Sequence, residues 1–174
     1  MVFFCAFNNS HYPNLFPIFA PKTYTMDTLQ NILVRSHSGL RYVVLGLMLA
    51  AIVNAIMKKK SGAYSNGDRK LNLFAMISVH VQLLIGLVLY AISEKVNFSE
   101  MFSSAANRFF GIEHIFGMLL AVVLVTIAHA KSKKMDDANK KHRIIMLGYL
   151  FALIIIFATI PWPFRKELGV TTWF

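Results

Sequence analysis

Four long apolar runs dominate the chain, at about 39–57, 71–92, 109–130 and 144–162. Each is close to the roughly 20 residues that an α-helix needs to cross a hydrocarbon core of about 30 Å. The connectors between the runs are short, so consecutive helices are expected to be antiparallel neighbours. The sequence therefore predicts an all-α membrane protein, a four-transmembrane-helix bundle with up-down-up-down topology.

The composition agrees with a membrane protein and excludes several kinds of site. Apolar residues make up 56% of the sequence and charged residues 15%, against roughly 25% charged in soluble domains. The single cysteine, Cys5, excludes an intramolecular disulfide, a C-x-x-C-H haem attachment and a cysteine-ligated cluster. Any bound metal must therefore use histidine or oxygen ligands. No P-loop, G-x-G-x-x-G or H-E-x-x-H motif is present.

The first 25 residues differ from the rest of the chain. They contain three prolines and one charged residue, and they have no apolar run of signal-peptide length. Met26 then begins a more ordinary segment. We interpret 1–25 as a disordered leader or an incorrectly assigned start, Met26 as the initiator, and 26–174 as the folded domain.

The basic residues predict the orientation of the bundle. The connectors 58–70 and 131–143 hold eleven of the eighteen lysines and arginines. The positive-inside rule places both connectors in the cytoplasm and both termini in the periplasm, for a protein of the bacterial inner membrane. The net charge of +10 is then a topology signal that also attracts anionic lipid. Because the chain has no nucleic-acid-binding motif, no nucleic-acid partner is expected.

Histidines inside the apolar runs are the main candidates for chemistry, because ionisable groups in a membrane segment are costly and usually functional. Five lie in or beside the predicted spans: His37, His80, His114, His129 and His142. A b-type haem needs two neutral imidazoles that face each other from different helices. His37 is expected just before the first helix, and His114 about a third of the way into the third.

Helix geometry favours one pair of histidines. Side chains lean toward the N-terminus of their own helix, so His37 and His114 lean toward the outer face and His80 toward the cytoplasm. We therefore predict His37 and His114 as haem ligands, with His80 as the alternate. His129 and His80 would need to close a gap of about 10 Å to form an inner site, so one haem is expected and a second is not.

A stripe of small residues follows His114 on the same side of its helix. Gly117, Ala121 and Ala128 lie three, seven and fourteen residues further along the chain. Such a stripe would let a flat macrocycle lie against the backbone, or would let two helices pack closely. The sequence leaves both uses open.

Polar residues near the outer pair are further candidates. Arg41, one turn after His37, could bind a haem propionate or the carboxylate of Glu113. Glu113, about one turn into its helix, needs a charged partner or a proton. Gln82 and Asn54 could donate hydrogen bonds to a quinone or to another helix. Other outer arginines, which could equally extend to the membrane surface, are Arg35, Arg108 and Arg165.

Four segments carry a resemblance to a known family: His37-Ser-Gly-Leu-Arg-Tyr42, His80-Val-Gln-Leu-Leu-Ile-Gly86, Glu113-His-Ile-Phe-Gly-Met118 and Ile160-Pro-Trp-Pro-Phe-Arg165. Over about residues 26–174 the chain resembles small bacterial four-helix membrane proteins labelled cytochrome b or cytochrome b-like. The resemblance implies haem b and electron transfer in the inner membrane. It also implies ligands among three histidines: His37, His80 and His114.

These observations lead to one preferred function and two alternatives. The preferred function is a haem-binding electron carrier between the quinone pool and other respiratory subunits, an electron-transfer subunit rather than a stand-alone enzyme. The first alternative is a cofactor-free structural or assembly subunit, in which the same histidines form hydrogen bonds between helices. The second is a small transporter or metal-ion carrier. It is the least supported, because the four helices show no inverted repeat.

Overall fold

The computed structural model describes residues 22–93, 96 and 99–169, with side chains from residue 27 onward. All regular secondary structure in those ranges is helical, and they contain no strand. The helices are α1 (Lys22–Lys58), α2 (Asn66–Ile92), α3 (Ala105–Lys134) and α4 (Ala138–Thr159). Each contains a segment long and apolar enough to cross a membrane. The predicted all-α, four-helix membrane bundle is confirmed.

Two short irregular elements lie near one end of the bundle. Within α3, the five residues Phe109–Glu113 form a π-helical segment. After α4, residues Lys166–Leu168 form a single 3₁₀ turn. The π-helical segment directly precedes His114 in sequence.

The first helix is longer than predicted. It begins at Lys22 rather than near residue 39, because residues 22–38 contain no proline or glycine before Gly39 and helix formation does not require continuous apolar sequence. His37 therefore lies inside α1 and not just before it. The predicted start at Met26 remains a prediction, because residues 1–21 lie outside the described residues.

The four helices form a closed ring. Each packs against the next one along the chain, and α1 also packs against α4. Helices α1 and α3 are therefore diagonal partners. The centre of the bundle is filled by fully buried apolar side chains, among them Met48, Ala75, Val125, Tyr149 and Ala152.

Glycine allows α3 and α4 to approach closely at two levels. A Cβ atom added at Gly148 would overlap the Cβ of Ala128, and one added at Gly117 would overlap the methyl group of Thr159. Small residues at such contacts are the usual means of close helix packing in membranes. Two members of the predicted small-residue stripe, Gly117 and Ala128, therefore serve the α3–α4 contact.

The end of the bundle that carries the connectors 59–65 and 135–137 is closed by polar contacts; we call it the connector end. Asp68 is only 3% exposed, and it accepts hydrogen bonds from Asn54 Nδ2 at 2.8 Å, from Lys58 Nζ at 2.7 Å and from both the backbone N–H and the hydroxyl of Ser65 at 2.7 Å. Asn54 thus forms an interhelical hydrogen bond here. His142 Nε2 donates to the carbonyl of Ala63 at 3.0 Å, which ties the first connector to α4.

Replacement of Gly148 by alanine should destabilise the bundle, because the new methyl group would overlap Ala128. Overpacking of this kind costs about 1–3 kcal/mol, measurable as a lower thermal midpoint in detergent. Gly46→Ala is the matched control, since an added Cβ there has no atom within 4 Å. The exchange Ala128→Gly with Gly148→Ala should recover most of the loss. A normal midpoint for Gly148→Ala alone would contradict this packing.

Replacement of Asp68 by alanine should also lower the thermal midpoint. The change removes the acceptor for Asn54, Lys58 and the start of α2, and an unsatisfied buried donor costs about 1–3 kcal/mol. Asp136→Ala removes the same charge from an exposed position in the other connector and should have little effect. Equal midpoints for the two variants would show that the Asp68 contacts do not hold the connector end.

Candidate functional site

A cavity of about 440 Å³ lies at the other end of the bundle, which we call the cavity end. All four helices contribute to its walls, together with Pro161 and Pro163 from the segment after α4. Its volume falls within the range of about 300–1,000 Å³ typical of sites for small molecules and cofactors. Four polar residues that line it are His37, Arg41, Gln82 and His114.

The cavity brings together the two histidines that the sequence favoured as a pair. The ring centroids of His37 and His114 are 6.3 Å apart, with an angle of 72° between the ring planes. Two imidazoles that bind one metal from opposite sides, with bonds of about 2 Å, place their nitrogens about 4 Å apart and their ring centres about 6 Å apart. The spacing of His37 and His114 matches this value, and it is also the spacing of an edge-to-face ring contact.

His114 has a defined tautomer. Its Nδ1 lies 2.7 Å from the carbonyl oxygen of Thr159, the last residue of α4. Because a carbonyl only accepts, Nδ1 carries the proton and Nε2 keeps its lone pair. A bare Nε2, with Nδ1–H bonded to a carbonyl, is the usual state of a metal-binding histidine.

Two prolines leave the carbonyls at the end of α4 available. In a continued helix, the carbonyls of Phe157 and Thr159 would accept from the N–H groups of residues 161 and 163, and both of these residues are proline. The indole N–H of Trp162 donates to the first carbonyl at 2.9 Å, and His114 donates to the second. Side chains thus satisfy both positions that proline leaves open.

His37 is held differently. Its backbone carbonyl accepts a hydrogen bond from Gln82 Nε2 at 2.8 Å, which fixes α1 against α2 at this level. Its ring packs on Gly86, where an added Cβ would come 3.0 Å from His37 Cε1. Its Nδ1 is buried and has no hydrogen-bond partner. The two histidines therefore differ at Nδ1: that of His114 donates a hydrogen bond, and that of His37 has no partner.

The π-helical segment directly precedes His114. The hydroxyl of Tyr90 on α2 donates to the carbonyl of Gly111, inside this segment, at 2.8 Å. The segment packs near the site through Phe109, whose ring centroid lies 5.8 Å from that of His114. Single π turns inside helices occur frequently at functional sites, and this one sets the rotation at which His114 leaves α3.

The charged candidates separate into two groups. Arg41 lines the cavity, and its guanidinium donates to the hydroxyl of Tyr42 at 3.2 Å. Glu113 does not line the cavity: its side chain is 41% exposed and pairs with Arg108 at 2.7 Å. The proposed pairing of Glu113 with Arg41 is therefore not what the structure shows.

The remaining arginines lie outside the cavity. The guanidinium of Arg165 pairs with Glu167 at 3.1 Å and lies 4.7 Å from the centroid of the Phe109 ring. The side chain of Arg35 is exposed. Neither residue lines the cavity, so neither stands beside the histidine pair as a direct contact.

The other two histidine candidates are not among the residues that line the cavity. His80 Nδ1 donates to the carbonyl of Met76 at 2.8 Å, and its Nε2 lies 3.3 Å from the hydroxyl of Thr126. His129 is buried near the connector end of α3, with an unpartnered Nδ1. Of the small-residue stripe, Ala121 does line the cavity.

Gly86, Tyr90 and Thr159 were not singled out from the sequence, although each contacts the histidines or the segment that orients His114. The spacing of Pro161 and Pro163 held a signal for Thr159, because it marks which carbonyls lose their helical donors. No local pattern identifies Tyr90, since its partner is a backbone carbonyl on another helix.

Within the described ranges, no three or more histidine, cysteine, aspartate or glutamate side chains come together in a group that could hold a metal ion. Comparisons of the chain with family models, with curated proteins and with solved structures found no match.

Proposed function

We propose that the protein is a membrane-embedded b-type haem protein that carries electrons between the quinone pool and a partner subunit. The observation that carries this proposal is the His37–His114 pair, with ring centroids 6.3 Å apart across a cavity walled by four helices. A b-type haem needs two axial ligands from the protein, because the macrocycle supplies the others. Bound there, it would supply one-electron redox chemistry.

The residues around the pair fit such a group. His114 presents the bare Nε2 that an iron ligand requires, because its Nδ1–H is bonded to the Thr159 carbonyl. Arg41 lines the same cavity, and its guanidinium can bind the carboxylate of a propionate. Gly86 and Ala121 keep the walls beside the histidines thin. The resemblance to cytochrome b-like proteins supports the same cofactor.

Gln82 supports a role for a quinol near the pair. Its Nε2 donates to the carbonyl of His37 on α1, which is the interhelical hydrogen bond that the sequence offered as one of two uses. Its Oε1 is buried without a protein partner, in a residue that lines the cavity. This oxygen could accept a hydrogen bond from a quinol hydroxyl.

A cofactor-free structural or assembly subunit is the second candidate. The bond from His114 to α4 and the one from Asn54 to Asp68 are interhelical hydrogen bonds of the kind that this function requires. In that case His37 and His114 form only a ring contact. The two candidates differ in whether Nε2 of His114 has a partner outside the protein.

The visible spectrum of the purified protein tests the proposal. In detergent, from a haem-replete bacterial host, the reduced-minus-oxidised spectrum should show the Soret and α bands of a low-spin b-type haem. His37→Ala and His114→Ala should each abolish the low-spin spectrum, because each removes an axial ligand.

His80→Ala and His129→Ala are the matched controls and should leave the spectrum unchanged, since neither residue lines the cavity. Wild-type protein without Soret and α bands would rule out the haem proposal and favour the structural subunit. Loss of the low-spin spectrum in His80→Ala but not in His37→Ala would replace the proposed ligand pair.

The proposed location is the bacterial inner membrane, with the connector end in the cytoplasm and the cavity end facing the periplasm. The positive-inside rule supports this orientation, since eleven of the eighteen basic residues lie in 58–70 and 131–143. Electron exchange through the cavity would then take place near the periplasmic surface.

Cysteine labelling tests the orientation. In a Cys5→Ser background, a membrane-impermeant maleimide should label Glu100→Cys in intact cells, because residue 100 is exposed in the connector at the cavity end. Ser61→Cys and Asp136→Cys, both exposed at the connector end, should react only after the membrane is permeabilised. The reverse pattern would invert the orientation, and labelling of Ser61→Cys and Asp136→Cys on opposite sides would contradict the bundle topology.

A further inference from the structure

We infer that the two ligands of the proposed haem site are not equivalent: Thr159 and Gly117 make His114 the permanent ligand and leave His37 the exchangeable one. This inference rests on the proposed function, but its structural basis does not depend on a bound cofactor. The basis is the difference between the contacts that each imidazole makes on its far side.

His114 is held by a hydrogen bond on the far side of its ring. Its Nδ1 donates to a carbonyl at 2.7 Å, and a hydrogen bond of this kind fixes the ring orientation and raises the basicity of the opposite nitrogen. Removing such a partner from a metal-binding histidine typically weakens metal affinity by about 10–100-fold. His114 is therefore both oriented and strengthened as a ligand before any cofactor arrives.

Two features of the chain place the carbonyl of Thr159 beside His114. The carbonyl of Thr159 is available because α4 ends there and residue 163 is proline. The carbonyl reaches α3 because residue 117 is glycine: a Cβ there would overlap Thr159 Cγ2 and come 3.1 Å from both Thr159 Cβ and Oγ1. The hydroxyl of Thr159 donates to the carbonyl of Ile155 at 2.8 Å, which holds the methyl group toward Gly117. Gly117 is thus a positioning residue for His114.

His37 has no comparable hydrogen bond at Nδ1. Its Nδ1 is buried without a hydrogen-bond partner, so no second contact fixes its tautomer or strengthens it as a ligand. Gln82 holds its backbone rather than its ring. The ring also lies beside Gly86, which has no side chain to restrain it. His37 is therefore the weaker member of the pair.

The two histidine variants should differ in what remains bound. His37→Ala should retain haem through His114, with a high-spin five-coordinate spectrum that returns to low spin when imidazole is added. His114→Ala should lose the haem. Equal haem retention in His37→Ala and His114→Ala, or loss only in His37→Ala, would overturn the assignment.

A set of α3–α4 variants tests the role of Gly117. Gly117→Ala should weaken haem affinity by about 10–100-fold, because the new methyl group pushes the Thr159 carbonyl away from His114. Thr159→Ala keeps the carbonyl and removes the methyl group that faces Gly117. The double variant with both changes removes the overlapping methyl group and should recover most of the affinity. Gly46→Ala, in open space, is the control for a glycine-to-alanine change in a helix.

Rescue in the double variant distinguishes positioning from a general loss of folding. If Gly117→Ala binds haem as the wild type does, Gly117 has no positioning role. If the double variant remains as weak as Gly117→Ala, the overlap with Thr159 is not the cause. Either result would overturn the inference while leaving the haem proposal intact.

A measurement on haem-free protein separates this inference from the proposed function. With ¹⁵N-labelled histidine, the nitrogen shifts of His114 should show a protonated Nδ1 and a bare Nε2, and Gly117→Ala should abolish that preference. Absence of haem from the wild type, with this signature present, would remove the proposed function but keep the positioning of His114. A bare Nδ1 in wild-type His114 would overturn the inference directly.

Discussion

The hydrogen bond from His114 Nδ1 to the carbonyl of Thr159 joins the main features of the cavity end. It needs a carbonyl without a helical donor, which the end of α4 and Pro163 provide. It needs close approach of α3 and α4, which Gly117 permits. It then determines which nitrogen of His114 faces the cavity. This one contact therefore depends on where α4 ends and on how closely α3 packs against it, and it fixes the tautomer of His114.

The two ends of the bundle use their polar residues for different purposes. At the connector end the carboxylate of Asp68 has donors from two helices and a connector, as a buried charge requires. At the cavity end two buried atoms lack such partners, His37 Nδ1 and Gln82 Oε1. Unsatisfied buried polar groups are costly, and a ligand in the cavity would offer a partner to both of these atoms, whereas the unpartnered Nδ1 atoms of His129 and His142 lie toward the connector end.

Long-range features of the fold were predictable because they follow from apolar length alone. The four helices and their ring arrangement needed only run lengths and short connectors. The predicted start of α1 near residue 39 was wrong. Hydropathy marks only the part of a helix that lies in lipid, and α1 begins earlier, at Lys22. The π-helical segment Phe109–Glu113 could not be predicted, because its stabilising bond comes from Tyr90 on another helix.

The proximity of His37 and His114 was predictable from helix direction and side-chain lean, whereas the partner of Glu113 was not. Lean depends on backbone geometry common to all helices. Whether Glu113 pairs with Arg108 or with Arg41 depends on how α3 is rotated about its own axis. The π-helical segment changes that rotation just before His114. The rotation of α3 also explains why the small residues do not share one face: Gly117 faces α4, and Ala121 faces the cavity.

The diagonal relation of α1 and α3 gives the cavity its physical origin. Adjacent helices in a ring interdigitate, but diagonal helices meet only through side chains that reach across the centre. Near the middle of the bundle, buried residues such as Met48 and Val125 fill that space. At the cavity end the diagonal positions are His37 and His114, which approach to a ring separation of 6.3 Å without closing the space between the helices. The cavity therefore lies where the diagonal side chains are imidazoles rather than the apolar groups that fill the middle of the bundle.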